Sequence, residues 1–307
     1  MNPDMRKDEI ESTLEKLKDL TGIDLKLTKE VDGTAQVKGT VSVKALSMFL
    51  EETEVSGSRE RFYRAVISGM YGEDEVRTKA AALSLNTSDK RAVVLVETKS
   101  ADLAAELIRQ LFPCEEGNDV FAIDRDNVIL IRALGAKKSN IHDDVSRIVS
   151  AVNTELMENV RAAYGDTVND ISLLKDSYEE ARTAMEVAGM FYEGMYVIPY
   201  NSLGLGRLIY AIPAELCERF LKDSFGGKKK AAFNEEELKM INSFFERDLN
   251  ISETARALFL HRNTLVYHLE KLKKKTGLDI RHFDDALTLK LILMMSAYLE
   301  WVENRKD

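Results

Sequence analysis

Apolar residues recur along this chain with two different periods, and the change of period divides the chain into parts. Between residues 58 and 200, short apolar runs alternate with stretches in which apolar residues recur every three or four positions. The first pattern is typical of buried strands and the second of amphipathic helices. From residue 233 onward the helical period continues alone. The sequence therefore predicts an α+β domain followed by an all-α domain.

The α+β part predicts the element order βαββαβ followed by αβ. Two helices over residues 58–85, broken near Tyr71-Gly72, precede it. In the first helix of the order βαββαβ, Leu103, Leu107 and Leu111 align as the expected buried face. This order indicates a ferredoxin-like α/β sandwich, an antiparallel-containing sheet with helices on one side. Strands are predicted at residues 91–98, 120–123, 128–132, 160–164 and 195–198, and helices at residues 101–112, 142–158 and 173–190.

A small α/β segment precedes this domain and a connector follows it. Residues 8–20 predict a helix, and short strands are expected at residues 25–27 and 35–43 around an Asp32-Gly33 turn. Such a segment is too small to fold alone, so we expect it to pack on the next domain or on a partner subunit. In the connector, a helix is expected at residues 214–225 and a linker at residues 225–230. We accordingly divide the chain into residues 1–57, 58–200, 201–232 and 233–307.

The stretch from Ser252 to Lys275 predicts two short helices joined by a sharp turn. Ser252 is an N-cap type of residue, so the first helix is expected to start there. Residues 259–261 leave room for a turn and no more. The side chains of Leu265, Leu269 and Leu272 then follow one face of the second helix. The pattern is that of a helix-turn-helix.

Two further helices are expected to complete this all-α domain. Asn234 is expected to cap a helix over residues 235–245, which would cover the apolar faces of the first two. Asp284 is expected to cap a long last helix. The apolar stripe of that helix is wider than a small bundle needs, so core packing is the default interpretation and dimerisation is the alternative. The stripe contains Leu287, Leu291, Met294 and Tyr298.

The second helix of the pair leaves a polar and basic face outside. Arginine can pair with guanine and asparagine with adenine, while lysines near a helix end can meet phosphates. This face therefore predicts contact with DNA. The residues expected to bind DNA are Arg262, Asn263, Thr264, Tyr267, His268, Lys271, Lys273 and Lys274.

Charge is distributed unevenly along the chain. The net charge is −9, yet residues 256–281 carry seven basic and two acidic residues, a local charge of +5. Such a local reversal of sign is the electrostatic footprint of a nucleic-acid contact. A helical hairpin with a solvated basic face would give the same charge, so charge alone leaves both interpretations open. RNA is disfavoured, because a recognition helix cannot enter the deep A-form groove and the sequence offers no aromatic stacking platform.

Other features narrow the class of protein. Cys114 and Cys217 are far apart and have no partners at metal-ligand spacing, which favours reduced thiols in a cytosolic setting. The apolar run at residues 287–299 is interrupted by Lys290 and is too short to cross a bilayer. The N-terminus has no signal-peptide pattern. We therefore expect a cytoplasmic protein with no membrane segment, no cofactor and no metal site.

The two-helix stretch resembles the C-terminal helix-turn-helix of the PucR/CdaR regulators, which are bacterial transcription factors for purine catabolism and sugar-diacid use. Phe259 stands where general helix-turn-helix sequences favour glycine, although this family commonly has phenylalanine there, and His268 stands where family members often have arginine. The resemblance implies sequence-specific binding of double-stranded DNA. It is carried by Ala255-x-x-Leu258-Phe259-Leu260-His261-Arg262-Asn263-Thr264-Leu265-Val266-Tyr267-His268-Leu269, followed by Thr276-Gly277-Leu278-Asp279.

The α+β part resembles the degenerate cyclase-like (GGDEF-like) domain of the same family. The likeness rests on the element order and on the motifs Tyr164-Gly165-Asp166 and Ser177-Tyr178-Glu179-Glu180-Ala181. Active diguanylate cyclases place two glycines and two acids in a hairpin turn, so that backbone can approach phosphate and carboxylates can hold Mg²⁺. The turn here, Asp124-Arg125-Asp126-Asn127, has no glycine. We expect its acids to make local hydrogen bonds and Glu97 to be a solvated strand end, with metal binding as the alternative for both.

These observations predict a transcriptional regulator rather than an enzyme. We expect it to bind double-stranded DNA as a homo-oligomer, at least a dimer, and to respond to a small-molecule effector whose identity the sequence does not give. The alternative is an oligomeric signalling or interaction protein whose cyclase-like domain binds nucleotide without converting it. A pure interaction module would not need Arg262, Asn263 and Tyr267 displayed together above a lysine cluster.

Overall fold

The computed structural model describes residues 24–31, 34–40, 57–114, 117–135, 140–224 and 233–305. The helix predicted at residues 8–20, the Asp32-Gly33 turn and the linker predicted at residues 225–230 lie outside the described residues. The chain forms two compact units. One holds the described residues up to Asp89 together with residues 169–175, and the other holds residues 90–168 and those from Asp176 onward.

The first unit combines a hairpin with two helices. The antiparallel strands β1 (Asp24–Val31) and β2 (Thr34–Thr40) confirm the two strands predicted there. Helix α1 (residues 57–67) and helix α2 (Glu73–Ala82) are separated by the break that the sequence placed near Tyr71-Gly72. The buried apolar side chains of the two helices include Phe62, Val66, Val76 and Ala80.

The second unit is built on a five-stranded sheet. Its strands are β3 (Arg91–Glu97), β4 (Asp119–Ala122), β5 (Asn127–Ala133), β6 (Arg161–Tyr164) and β7 (Val197–Pro199). Their order in space is β4-β5-β3-β6-β7, with β6 and β7 parallel and the other neighbours antiparallel. The predicted order βαββαβ followed by αβ is confirmed. The connecting helices are α3 (Ala101–Leu111), α4 (Ile141–Leu156) and α5 (Leu174–Phe191).

The central strand β3 is buried on both faces. Successive side chains of a strand point to opposite faces, yet all residues from Arg91 to Val96 are buried. Val94 and Val96 pack with Ile108 of α3 and Ile148 of α4. Val93 and Leu95 are buried on the opposite face. The sequence predicted helices on one side; the buried second face corrects this to a sheet covered on both sides, as a continuous apolar run favours.

Helix α3 lies where it was predicted but presents a different face to the sheet. Leu103, expected to be buried, is 55% exposed. The buried face is formed by Ala101, Ala104, Ala105 and Ile108. Alanines let a helix approach its neighbours closely, whereas a leucine stripe would hold it further away. The predicted stripe of Leu103, Leu107 and Leu111 is therefore corrected to the alanine face.

Two helices follow the sheet, α6 (Gly204–Tyr210) and α7 (Ala214–Ser224). The described residues 233–305 then form four helices, α8 (Glu235–Phe245), α9 (Ile251–Ala257), α10 (Arg262–Thr276) and α11 (Phe283–Asn304). One apolar cluster joins α8 to α11, with Phe244, Ala255, Leu269 and Leu289 buried in it. Helix α8 is thus the helix that was predicted to cover the apolar faces of α9 and α10. Asn234 caps it as predicted, since its side chain accepts the Glu237 N–H at 2.8 Å.

Helix α11 is long because its two halves pack in different clusters. Leu289 belongs to the cluster of the C-terminal helices, whereas Met294 and Tyr298 pack with Ile209 of α6 and Cys217 of α7. Core packing, the default interpretation of its apolar stripe, is therefore confirmed for this half. Among the described residues, no helix combines the length and the apolar content that crossing a membrane requires.

The start of α11 corrects one cap. The helix begins at Phe283 after His282, so Asp284 lies inside its first turn and is not the predicted cap. The neighbouring Asp285 instead accepts the backbone N–H of Asp279 at 2.8 Å. The acids of this turn still stabilise the helix, because negative charge is favourable at the N-terminal end of its dipole.

Candidate nucleic-acid interface

Helix α9 starts at a different cap from the one expected. The side chain of Asn250 accepts the N–H groups of Ser252 and Glu253 at 3.0 and 3.2 Å, and α9 begins at Ile251. Both Asn and Ser are good N-cap residues, and they lie two positions apart here. The prediction of Ser252 as the cap is therefore wrong, although the helix itself is confirmed.

The turn between α9 and α10 forces an aromatic residue into an unusual backbone conformation. Leu260 donates its N–H to the carbonyl of Ala255 at 2.8 Å, which closes the end of α9. Phe259 lies in the left-handed region with φ of +55° and its side chain is 96% exposed. For a residue with a Cβ atom this conformation costs about 1–2 kcal/mol. The predicted turn at residues 259–261 is confirmed.

Helix α10 is anchored through the predicted leucines. Leu265, Leu269 and Leu272 are buried in the cluster shared with α8, α9 and α11. His261 precedes the helix, and its ring Nδ1 accepts the backbone N–H of Asn263 at 3.3 Å. At the other end Gly277 has φ of +83° and donates to the carbonyl of Lys273, which terminates the helix. One face of α10 is thereby fixed and the opposite face is left outside.

The outward face carries the residues that the sequence singled out. Asn263, Tyr267 and Lys274 follow at intervals of four and seven positions and lie opposite the leucines. The side chain of Tyr267 is 66% exposed. His268 is half-buried and lines a groove of about 310 Å³ beside Leu258. The structure places the remaining predicted residues on the exposed surface, namely Arg262, Thr264, Lys271, Lys273 and Lys274.

Two lysines of the basic cluster are already paired within the chain. Lys273 lies 3.1 Å from the Asp279 carboxylate, and Lys275 lies 2.6 Å from that of Glu237. Arg262, Lys271 and Lys274 form no ion pair in the part of the chain that the structure describes. The sequence could not distinguish these groups, because the acidic partners come from outside α10.

Asp279 is the centre of the strongest electrostatic interaction in this region. Arg281 donates two hydrogen bonds of 2.6 Å to its carboxylate, and Lys273 contributes a third contact. These cations, Arg281 above all, hold the pKa of Asp279 well below its usual range. Arg281 also pairs with Glu270 of α10 at 2.6 Å. The loop after α10 is thereby fixed to the end of the helix.

The acidic side chains at the ends of the sheet strands have partners within the chain. Asp124 accepts the backbone N–H of Asp126 at 2.8 Å and an amide hydrogen of Asn127 at 3.0 Å, which are the local hydrogen bonds expected of this turn. Glu97 pairs with Arg161, one nitrogen of which lies 3.0 and 2.9 Å from its two oxygens. Glu97 is the last residue of β3 and its side chain is 45% exposed, as expected of a solvated strand end, and it also forms an ion pair. Among the described residues, no group of three or more acidic, histidine or cysteine side chains could hold a metal ion.

The two motifs of the α+β part contact each other, and we call the contact between residues 165–166 and residues 177–180 the latch. The Ser177 hydroxyl accepts the N–H of Val93 at 3.0 Å and donates to the carbonyl of Asp166 at 2.9 Å, while Glu180 accepts the N–H of Asp166 at 2.7 Å. A Cβ atom at Gly165 would lie 2.0 Å from the Ser177 carbonyl oxygen, so glycine is required there. Burial raises the pKa of Glu180, and the hydrogen bond from the Asp166 N–H opposes part of this shift. The sequence showed both motifs without showing that they touch.

The three buried leucines, the tight turn and the exposed polar face of α10 define a helix-turn-helix of the class found in DNA-binding proteins. Residues 238–295 match the family described as the PucR C-terminal helix-turn-helix domain, and residues 68–187 match the GGDEF-like domain. These matches place the chain among the DNA-binding transcriptional regulators of the PucR/CdaR type.

Curated relatives agree with this placement. The chain is 25% identical over 277 residues to the carbohydrate diacid regulator of Escherichia coli (strain K12), covering 84% of this chain and 72% of the relative. It is 23% identical over 173 residues to the purine catabolism regulatory protein of Bacillus subtilis (strain 168), covering 55% and 32%. It is 23% identical over 261 residues to the proline-responsive transcriptional activator PutR of the same organism, covering 80% and 63%.

One solved structure is similar over most of the chain. It is a regulator of polyketide synthase expression from Bifidobacterium adolescentis, with 15% identity and a TM-score of 0.41 over 81% of this chain and 94% of that one. A likeness this low has no bearing on the function of the present chain.

Proposed function

We propose that α10 is the recognition helix of this regulator and that its N-terminal half enters the major groove of double-stranded DNA. The observation that supports this most is the exposed row of Asn263, Tyr267 and Lys274, which lies opposite the buried leucines. Arg262 and Asn263 are suited to base edges and Lys271 and Lys274 to phosphates. Lys273 can reach a phosphate when it leaves Asp279. Thr264, Tyr267 and His268 complete the proposed site.

We propose further that the regulator acts as a homo-oligomer, at least a dimer. A single helix-turn-helix module buries roughly 600–1,000 Å² on DNA and reads a few base pairs. Two modules on half-sites about one helical turn apart would supply the missing specificity. Light scattering of the free chain and of its DNA complex tests this, and a monomer mass in both states would contradict it.

The GGDEF-like domain is proposed to have no cyclase activity. The support comes from its turn, where side chains replace the glycines that phosphate approach requires, and from Glu97, which is ion-paired with Arg161. Incubation of the protein with GTP and Mg²⁺ should give no cyclic dinucleotide above the blank. A dinucleotide product would contradict the proposal.

The location and the effector are proposed in general terms. Because the DNA of a bacterium lies in its cytoplasm, we propose that the protein works there. The relatives are named for carbohydrate diacids, for purine catabolism and for proline, which are different chemical classes. We therefore propose a small-molecule effector without choosing among these classes.

The recognition site is tested by DNA titrations. The preferred duplex is first selected from random DNA with the full chain. Arg262→Ala and Asn263→Ala should then lose about 1–3 kcal/mol of binding free energy on that duplex and little on scrambled DNA, because a base-edge contact is lost. Arg219→Ala, on the exposed surface of α7, removes the same charge as Arg262→Ala but lies outside the proposed site. It should change the affinity for neither the selected nor the scrambled duplex.

The outcome decides the proposal in either direction. If Arg262→Ala and Asn263→Ala remain folded and retain the full preference for the selected duplex, α10 does not read bases. Thermal melts of each variant show whether it is folded.

A further inference from the structure

Phe259 contributes little to the stability of the folded chain, because its ring is exposed and its backbone conformation is strained. Its side chain is 96% exposed, so it contributes almost no burial, and its φ of +55° is one that glycine adopts without strain. In the part of the chain that the structure describes, the non-glycine residues with positive φ are Ser84, Met157, Asp248, Leu249 and Phe259, and Phe259 is the aromatic one. An exposed aromatic ring on a strained backbone contributes to something other than the stability of this fold.

The position of Phe259 indicates what its ring would contact. It stands three residues before Arg262, the first residue of α10, and three residues span at most about 11 Å. The major groove is about 12 Å wide. If the N-terminus of α10 lies in that groove, Phe259 is close enough to reach its interior or its rim. A protein partner is disfavoured here because the same segment carries the local positive charge.

We propose that the Phe259 ring contacts the C5-methyl group of a thymine at the edge of the site that α10 reads. Thymine is the base that offers an apolar group in the major groove, and apolar side chains such as phenylalanine recognise it. Arg262 and Asn263 present hydrogen-bonding groups, so Phe259 adds a contact of a different chemical kind. The inference rests on the proposed function of α10.

The test replaces the thymines of the selected duplex with deoxyuridine, one at a time. Deoxyuridine lacks the methyl group and keeps the same pairing. Wild type should lose about fourfold in affinity at one position, the effect of leaving one methyl-sized group in water. Phe259→Gly and Phe259→Asn, both of which tolerate positive φ, should bind the thymine duplex about fourfold more weakly and show no difference between thymine and deoxyuridine there. Phe259→Leu should retain part of the difference.

Met157 provides a matched control within the same chain. It also has a positive φ, +53°, and is 92% exposed. It caps the end of α4 in the domain built on the five-stranded sheet, the sheet domain, away from α10 in the sequence. Phe259→Gly and Met157→Gly should both keep or raise the melting temperature, since each relieves the same strain without removing buried contacts. Met157→Gly should leave DNA affinity and the thymine preference unchanged.

Different results would exclude the Phe259 contact and the proposed function of α10. If Phe259→Gly and Phe259→Asn discriminate thymine from deoxyuridine as wild type does, or if wild type shows no sensitive position, the Phe259 contact is excluded while Arg262→Ala still reports on α10. If wild type itself does not prefer the selected duplex over scrambled DNA, the proposed function fails and this inference with it.

Discussion

The sheet domain and helix α10 both display charged side chains, but they use them in opposite ways. At the end of the sheet, Glu97 is paired with Arg161, and Glu158 accepts hydrogen bonds from the Thr98 hydroxyl, the Lys99 N–H and the Ser100 hydroxyl at 2.6–2.8 Å. The last three interactions hold the pKa of Glu158 below its usual range. On α10, by contrast, the side chains of Arg262 and Lys274 have no hydrogen-bond or ion-pair partner among the described residues.

This difference separates structural polar groups from those available to a partner. A polar group that is already satisfied gains little from a new ligand, since the new bond replaces an old one. Arg262, Lys271 and Lys274 are exposed on α10 and form no ion pair among the described residues, so a phosphate or base would not have to displace an internal partner. This difference supports the proposals that the chain binds DNA through α10 and that its GGDEF-like domain has no cyclase activity.

The largest effect is expected at the latch of the sheet domain. Gly165→Ala places a Cβ atom 2.0 Å from a backbone oxygen, which cannot move without disturbing α5. We expect a loss of about 3–5 kcal/mol in the free energy of unfolding, or failure to fold. Urea denaturation measures it. Gly135→Ala, where no atom lies within 4 Å, is the control and should cost little. A well-folded Gly165→Ala protein of wild-type stability would show that the latch is not structural.

The next effect concerns the buried side of α10. Leu269→Ala should cost roughly 2–5 kcal/mol of folding stability, because a fully buried leucine leaves a cavity. Binding to selected and to scrambled DNA should weaken together, in contrast to the selective loss expected of Arg262→Ala. Thermal melts and titrations distinguish the two sides of the helix. A selective loss of specific binding in a stable Leu269→Ala protein would contradict the assignment.

A smaller effect with a defined pH dependence is expected at Asp279. Asp279→Asn removes charge-assisted hydrogen bonds to Arg281 and Lys273 and should cost about 1–2 kcal/mol. Because the pKa of Asp279 is lowered on folding, its contribution is complete above the unfolded value of about 3.9 and is lost as pH falls below it. The stability difference between wild type and Asp279→Asn should therefore be constant above about pH 5 and shrink below pH 4. A difference that grows on acidification would give the wrong sign.

The smallest effect separates free from paired lysines. Lys274→Ala should weaken specific and scrambled DNA alike and lower the salt dependence of binding by about one counterion. Lys273→Ala should lower it less, since Lys273 is held 3.1 Å from Asp279. Titrations at several salt concentrations measure both slopes. Equal slopes for the two variants would show that the Asp279 pair opens on DNA.

Local patterns predicted much of this molecule, and contacts between distant residues account for what they missed. The leucines of α10 and its exposed face follow from helical period alone. The cap of α9 was misplaced because Asn250 and Ser252 are both suitable. The latch between Gly165 and Ser177, and the pairing of Lys273 with Asp279, depend on how the chain returns to itself. The periodicity of apolar residues along the sequence does not predict these contacts.

The double packing of α11 limits how this protein can be rebuilt. One inserted residue between Leu289 and Met294 would turn the two halves of the helix by about 100° relative to each other, so that one cluster must lose its contacts. An insertion of seven residues would restore the angle to within about 20°. A chimaera that takes its helix-turn-helix from another protein must therefore exchange α6 and α7 along with it, because cutting the chain at residues 225–232 alone would leave Ile209 and Cys217 facing a foreign helix.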